Sequence, residues 1–481
     1  MRPLLPFLTL LALTGPAAAH GINGHIHVTG WAIERLPEGE LRELFADPEV
    51  FEAALFGASF PDSGYAIGDP YGEMAHWPPF LEACLRHLRE DIRPPYDTPE
   101  ERRLAAFVMG LASHGLQDEI FDSIFLHHIG EHDGRGQDEA DSGTDAMLFM
   151  DGYLRYKPER WAPIDDLIEV FADEGHEVSA ETLEAGMVRV KVIVIDGFDG
   201  IAPVFDQRYR PQLPWTADHY VDPGVPGSLA AEIPATRAFI EAVWERMHDR
   251  FPASGFVAWP YPDGHRRLRS TDPDSVSSWV TLVLALGARR GTLTPDRVTF
   301  AGPDGPVPYD LRYTRWSGSD DDWTRIVQLR PRVVLADDTE YTVSLAPGVE
   351  LIDGTLLAEG WQYTFRTPCA PEQACAPEPA DGGVLPVDAM VPDAMAPDAM
   401  APDVMADAIV DATTPPDATI DAMAPDAIAD ATAPDATAPD PTPDAAPPAP
   451  ADDGCAATPA TPGGWPALLL VFAAALRRRR R

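Results

Sequence analysis

The chain has 481 residues, with 77 Asp and Glu against 36 Lys and Arg and a formal net charge of −41. That balance excludes a general nucleic-acid binder, because such proteins attract phosphate through a basic surface. The length allows two or three domains, and the four cysteines, Cys84, Cys369, Cys375 and Cys455, are too few for a disulfide scaffold.

Residues 1–19, MRPLLPFLTLLALTGPAAA, combine a short basic start, an apolar run and an Ala-x-Ala end, the pattern of a secretory signal peptide. Cleavage after Ala19 starts the mature chain at His20, in a compartment that permits disulfides. From there to about residue 265 the periodicity is helical and strand signals are scarce, which predicts an all-α domain of eight or more helices. HGINGHIH opens it, with Asn23 or Thr29 placed to cap the first helix. GASFPDSGY reads as a turn-rich loop holding Asp62. His76 stands just before a helix that begins near Pro78–Pro79 and ends before Pro94. Cys84 falls on the buried face of that helix and reads as an inert thiol.

The strongest helical stretch is 104–128, LAAFVMGLASHGLQDEIFDSIFLHH, with apolar residues at Leu104, Phe107, Val108, Leu111, Ile120, Phe121, Ile124 and Phe125. His114, Asp118 and Asp122 lie in it at i, i+4 and i+8, one turn apart on one side. Residues 129–145 read as a polar, Gly-rich acidic loop carrying Asp141 and Asp145. Three more helical patterns fall near 164–173, 181–196 and 230–250.

An imidazole and carboxylates buried on an apolar helix need compensation, which a metal ion supplies. A His-x-x-x-Asp pair alone is equally a polar stripe facing water or a satisfied core pair. What gives the metal reading weight is the order His25, Asp62, His76, His114, Asp118, Asp122, Asp141, Asp145, each on a helix or adjoining loop.

Taken together, HGINGH, GASFPDSGY, HWPPFLEACLRHLRE, LAAFVMGLASHGLQDEIFDS and EADSGTD, in that order and at similar spacing, resemble the zinc-dependent phospholipase C family. Within it the likeness is to the catalytic domain of glycosylphosphatidylinositol-specific phospholipase D, over roughly residues 20–260. The resemblance implies a secreted phosphodiesterase with two to three zinc ions and an activated water, acting on phospholipid or glycosylphosphatidylinositol-like substrates at a membrane surface. Carried over by position, Asp62, His76, His114 and Asp118 hold one zinc. His25, Asp118 and the amino terminus at His20 hold another, and Asp62 is the candidate general base. Asp122 and Asp141 stand where these relatives carry histidines, so a third site would use Asp122, Asp141 and Asp145. An all-oxygen set suits Ca²⁺, Mg²⁺ or Mn²⁺ better than Zn²⁺. The alternatives are a vacant third site, or one that recruits His127, His128 or His132. A histidine of the relatives is also missing near Gly30, for which His27 is a substitute or else an ordinary surface residue. Two other functions stay open: a nuclease-type zinc phosphodiesterase, and a non-catalytic metal-binding surface module with a degenerate third site.

The texture changes over 266–367. SSWVTLVLAL, DRVTFAGPDG, DWTRIVQLRP, TEYTVSLAPGV and GWQYTFRT are short runs rich in Val, Thr, Tyr and Trp, split by turn residues, which predicts a β-sandwich. TEYTVSLAPGVELIDGTLLAEGWQYTFRT resembles the bacterial Ig-like domain, implying a spacer or accessory binding module. Cys369 and Cys375 follow at a spacing that allows a local disulfide. Residues 368–453 read as a disordered acidic linker, dominated from 376 onward by Ala, Pro, Asp, Thr and Met in degenerate A-P-D-A-M units. In 454–481, Gly454-Cys455, a short apolar run and Arg477–Arg481 resemble a MYXO-CTERM sorting signal, implying export or attachment at the cell surface. The apolar run is short of the roughly 20 residues of a spanning helix.

Overall fold

A computed structural model describes residues 21–251, 256–263, 267–313 and 323–370. The signal peptide, His20, Cys375, most of the acidic linker and the sorting signal fall outside the described residues. Cys369 is disulfide-bonded, and Cys84 is a buried free thiol that burial pushes far above its ordinary pKa.

Fourteen α-helices are present among the described residues: α1 Ile22–Glu34, α2 Glu40–Leu44, α3 Pro48–Gly57, α4 Phe60–Ile67, α5 Tyr71–His76, α6 Pro78–His87, α7 Pro99–Ile120, α8 Leu126–Asp133, α9 Gln137–Met150, α10 Ile164–Asp173, α11 Ala180–Arg189, α12 Ala202–Tyr209, α13 Pro214–His219 and α14 Leu229–Met247. Their starts follow local chemistry. Thr98 and Glu101 form a capping box before α7 with Pro99 in its first turn, and Ser228 caps α14 through the Ala231 amide. The apolar positions along α7 fill the domain core, where Phe107, Met109 and Leu116 are fully buried. The helical rod does not break where α7 ends at Ile120. It passes through a π-helical turn, Phe121–Phe125, directly into α8.

Three sequence expectations change here. GASFPDSGY is not a loop, because Asp62 lies in the first turn of α4. The polar stretch before residue 145 is largely helical, and Asp141 and Asp145 sit one turn apart on α9. The first strand begins at Val257, ahead of the expected boundary at 266.

The β region has eight strands among the described residues: β1 Val257–Tyr261, β2 Val280–Arg289, β3 Val298–Gly302, β4 Gly305–Pro306, β5 Tyr309–Tyr313, β6 Trp323–Pro331, β7 Glu340–Leu345 and β8 Trp361–Arg366. They form two four-stranded sheets, β1-β2-β6-β5 and β4-β3-β7-β8, antiparallel at every pairing. The inner faces share a core in which Leu282, Leu284 and Leu329 of one sheet meet Phe300, Val343 and Phe365 of the other. Strand β7 alternates buried and less buried residues as a strand with one covered face should, whereas β2 is buried over nearly its whole length. The reason is that the outer face of the first sheet lies on the helices. Val276, Trp279, Val283 and Ile326 belong to the same apolar core as α7 and α14.

Polar contacts cross the same boundary. Arg325 on β6 is 2% exposed, and its Nε donates to Glu119 Oε1 of α7 at 3.1 Å. Gln328 donates to the Ser123 carbonyl in the π turn at 2.8 Å. The strand-rich region is therefore packed onto the helix that carries the candidate ligands.

Candidate metal centre

Two close approaches bring the ligands together. A Cβ on Gly110 would lie 1.9 Å from the Ala54 carbonyl oxygen, so only glycine lets α7 press onto α3. One turn later His114 Nδ1 donates to the Ala58 carbonyl at 2.7 Å. Likewise a Cβ on Gly115 would lie 2.2 Å from the His76 carbonyl oxygen, which seats the end of α5 against α7.

The imidazoles of His25 on α1, His76 on α5 and His114 on α7 converge with Asp62 on α4 and Asp118 on α7, and all five side chains are buried. His25 Nε2 stands 3.0 Å from Asp118 Oδ1, and His114 Nε2 stands 3.2 Å from Asp118 Oδ2. His76 Nε2 lies 3.7 Å from Asp118 Oδ2 and 3.5 Å from Asp62 Oδ1. Asp118 thus turns Oδ1 to His25 and Oδ2 to His114 and His76. The donors fall into two groups that share His114, His25/His114/Asp118 and Asp62/His76/His114, with the donor atoms of each group within 4.8 Å of one another.

Each histidine is turned by its other nitrogen. His76 Nδ1 donates to the Gly72 carbonyl at 2.5 Å, and His25 Nδ1 donates to Gln117 Oε1 at 3.1 Å. Gln117 is itself fixed, because its Nε2 donates to Thr29 Oγ1 at 3.0 Å. With Nδ1 carrying the proton, each Nε2 presents its lone pair to the centre, the usual support for a metal-bound imidazole.

The donor set fits a divalent ion. Tetrahedral zinc with bonds of about 2.0–2.1 Å places neighbouring donors about 3.3–3.4 Å apart. The four His–Asp separations, 3.0, 3.2, 3.5 and 3.7 Å, bracket that edge. Both Asp62 oxygens and the Nε2 atoms of His76 and His114 have no hydrogen-bond partner among the described residues. Such groups cost about 1–3 kcal/mol each when left unsatisfied.

Electrostatics make the same demand. Burial pulls the His76 imidazole down, but Asp62 and Asp118 outweigh it and hold it at about 8. Burial also acts against ionised Asp118, yet His25 and His114 keep it well below the usual carboxylate range. Burial first, then neighbouring carboxylates, push Asp122 and Asp141 well above that range. Glu232 on α14 is raised in the same way by burial and then Asp118. Acidic groups are crowded here in excess of the positive charge available to them.

The expected third site is divided. Both Asp141 oxygens and Oδ1 of Asp122 lack a hydrogen-bond partner among the described residues. Asp145 has another task. It accepts from the Asn23 amide at 3.0 Å, the Gly24 amide at 2.8 Å and Asn23 Nδ2 at 3.2 Å, capping the first turn of α1. Neither Asn23 nor Thr29 caps that helix with its own side chain. His27 is neither a surface residue nor a free ligand. It is fully buried, its Nδ1 donates to the Asn23 carbonyl, and its Nε2 accepts from the Arg155 and Tyr156 amides. His128 and His132 gather instead with Glu131 in a group of their own. His20 lies outside the described residues.

Part of this chain is similar to phosphatidylinositol-glycan-specific phospholipase D. The protein of that name from Dictyostelium discoideum is 30% identical over 193 residues, 36% of this chain and 19% of its own length. The Rattus norvegicus protein is 27% identical over 185 residues, and the Homo sapiens protein 28% over 172 residues, covering 22% and 20% of their lengths. The chain therefore spans only about a fifth of the phospholipase D relatives it matches. No protein-family model matches it. Among solved structures, the S-layer protein SbsC aligns with 63% of this chain and 46% of its own at 12% identity, with a TM-score of 0.18 that supports no statement about fold.

Sequence reasoning missed Gln117, the Gly72 and Ala58 carbonyls, Glu232 and the Arg325–Glu119 pair. Gln117 sits one turn before Phe121 in the quoted motif and so was visible. The rest become meaningful only once distant elements pack.

Proposed function

We propose that the protein is a secreted or surface-attached, metal-dependent phosphodiesterase that hydrolyses phospholipid or glycosylphosphatidylinositol-like substrates. The observation that carries the reading is the convergence of three oriented Nε2 lone pairs on Asp118 and Asp62 at the spacing of a metal's donors. The similarity to phospholipase D sequences supplies the substrate class, and the Ig-like reading of the β region supplies an accessory module. Bound zinc would polarise the phosphoryl oxygens and acidify a water molecule.

The chain's own residues do the rest. Asp118 bridges the two ligand groups, and His25, His76 and His114 hold them in place through the hydrogen bonds at their Nδ1 atoms. Asp62 turns Oδ1 towards His76, and Oδ2, which has no hydrogen-bond partner among the described residues, takes the proton of the attacking water. The cap made by Asp145 favours a centre of two ions over three.

The test is metal content and turnover of the intact mature chain. Asp118→Asn should remove bound metal and phosphodiesterase activity together, towards a phosphodiester reporter and phosphatidylcholine alike. Activity that survives in metal-depleted D118N would overturn the assignment, and preferential turnover of single-stranded DNA would favour the nuclease-type reading.

A further inference from the structure

Beyond the π turn, the same long helix carries His128-Ile-Gly-Glu131-His132. Residues 128, 131 and 132 fall on one face of α8. One donor atom from each lies within 4.8 Å of the others. The rings of His128 and His132 are nearly parallel, 9° apart with centroids at 6.1 Å.

His128 is 1% exposed, and neither of its ring nitrogens has a hydrogen-bond partner among the described residues. A buried imidazole in that state calls for a partner, an ordered water or an ion. Glu131 spends one oxygen on a long 3.4 Å contact from the Val276 amide and keeps lone pairs to spare.

The face is roofed. Trp215 stacks on His132 at 4.4 Å and on His128 at 5.5 Å. Its position is set by Asp133 at the end of the same helix, which accepts from the Trp215 amide at 2.9 Å and from the Thr216 amide and hydroxyl at 3.0 and 2.6 Å. Ligands and cover are thus fixed by one segment.

We propose that His128, Glu131 and His132 bind a second, independent divalent transition metal of the zinc, nickel or copper class. Two imidazoles and a carboxylate form a borderline-soft set that leaves a fourth position to water. The site lies apart from the phosphodiesterase centre, shares no ligand with it, and does not depend on that reading.

The experiment compares wild type, His132→Gln, Asp118→Asn and the double variant, each as the intact mature chain dialysed against the same free zinc. His132 is exposed, so H132Q should fold. H132Q should lose about one equivalent of zinc in both backgrounds. As a second readout, copper should quench tryptophan fluorescence in wild type, and the quench should shrink in both H132Q and Trp215→Phe. Equal zinc in wild type and H132Q, or a loss that disappears in the D118N background, overturns the proposal. A loss in H132Q with none in D118N would leave this site standing and reject the catalytic centre.

Discussion

Replacing Arg325 by Met tests whether the β region is energetically joined to the helical region. Arg325 and Glu119 are 2% and 1% exposed, joined at 3.1 Å through Nε and 3.0 Å through Nη2. Met keeps much of the side-chain volume beside Phe239, whose ring the guanidinium covers at 5.3 Å. What remains is a buried carboxylate without its cation, a loss worth about 3–5 kcal/mol. Burial already pushes Glu119 above the ordinary carboxyl range, with Arg325 opposing it and the adjacent Asp118 adding to it. A carboxyl whose folded pKa is raised contributes stability that is fully present below its unfolded pKa of about 4.3 and is lost as pH rises through the folded value. Removing Arg325 enlarges that shift, so R325M should be less destabilised at pH 5 than at pH 8. Denaturant unfolding at both pH values measures this. Adding Glu119→Gln should recover most of the loss, giving a large coupling energy in the double-mutant cycle. A loss below about 1 kcal/mol, or no recovery in the double variant, would refute the claim that this pair joins the two regions.

Asp145→Ala should cost about 1–2 kcal/mol through loss of the α1 cap while leaving metal content unchanged; a fall in bound metal would restore Asp145 as a ligand. Gly115→Ala should destabilise by about 1–3 kcal/mol and weaken metal binding, because the new Cβ meets the backbone that carries His76; unaltered melting and affinity would contradict that contact. Protons compete with metal for His76, so metal affinity measured by titration should rise with pH and level off near 8. In the metal-free protein the sign is opposite. The stability His76 lends is fully present below its unfolded value near 6.5 and is lost as pH rises through about 8. An affinity flat from pH 6 to 9 would argue against His76 as a ligand.

The convergence of His25, Asp62, His76, His114 and Asp118 was expected from sequence because each lies in a short motif whose order survives folding. The helix at 104–128 was legible from its period, but its π turn was not, since one widened turn leaves the apolar pattern almost intact. The bonds from Asp145 to α1 were not legible, because its partners, Asn23 and Gly24, stand more than a hundred residues away. Strand β1 was missed because VAWPY carries Pro260 and is followed by Pro262, which argue against a strand except at a sheet edge, where β1 lies. The packing of the first sheet on α7 and α14 was not read from the sequence, because the apolar run of β2 says that the strand is buried but not what covers it.

The π turn sets an angle. Each residue of an α-helix turns the chain by about 100°, so the single wider turn at Phe121–Phe125 offsets the direction of everything after it without breaking the rod. The helix therefore aims His114 and Asp118 at α1, α4 and α5, and aims His128 and His132 at α13, from one continuous axis. Deleting one residue within the turn would swing the second pair by about 100° and leave the first where it is. The two ends of the helix are mechanically continuous and yet free to be set in phase separately.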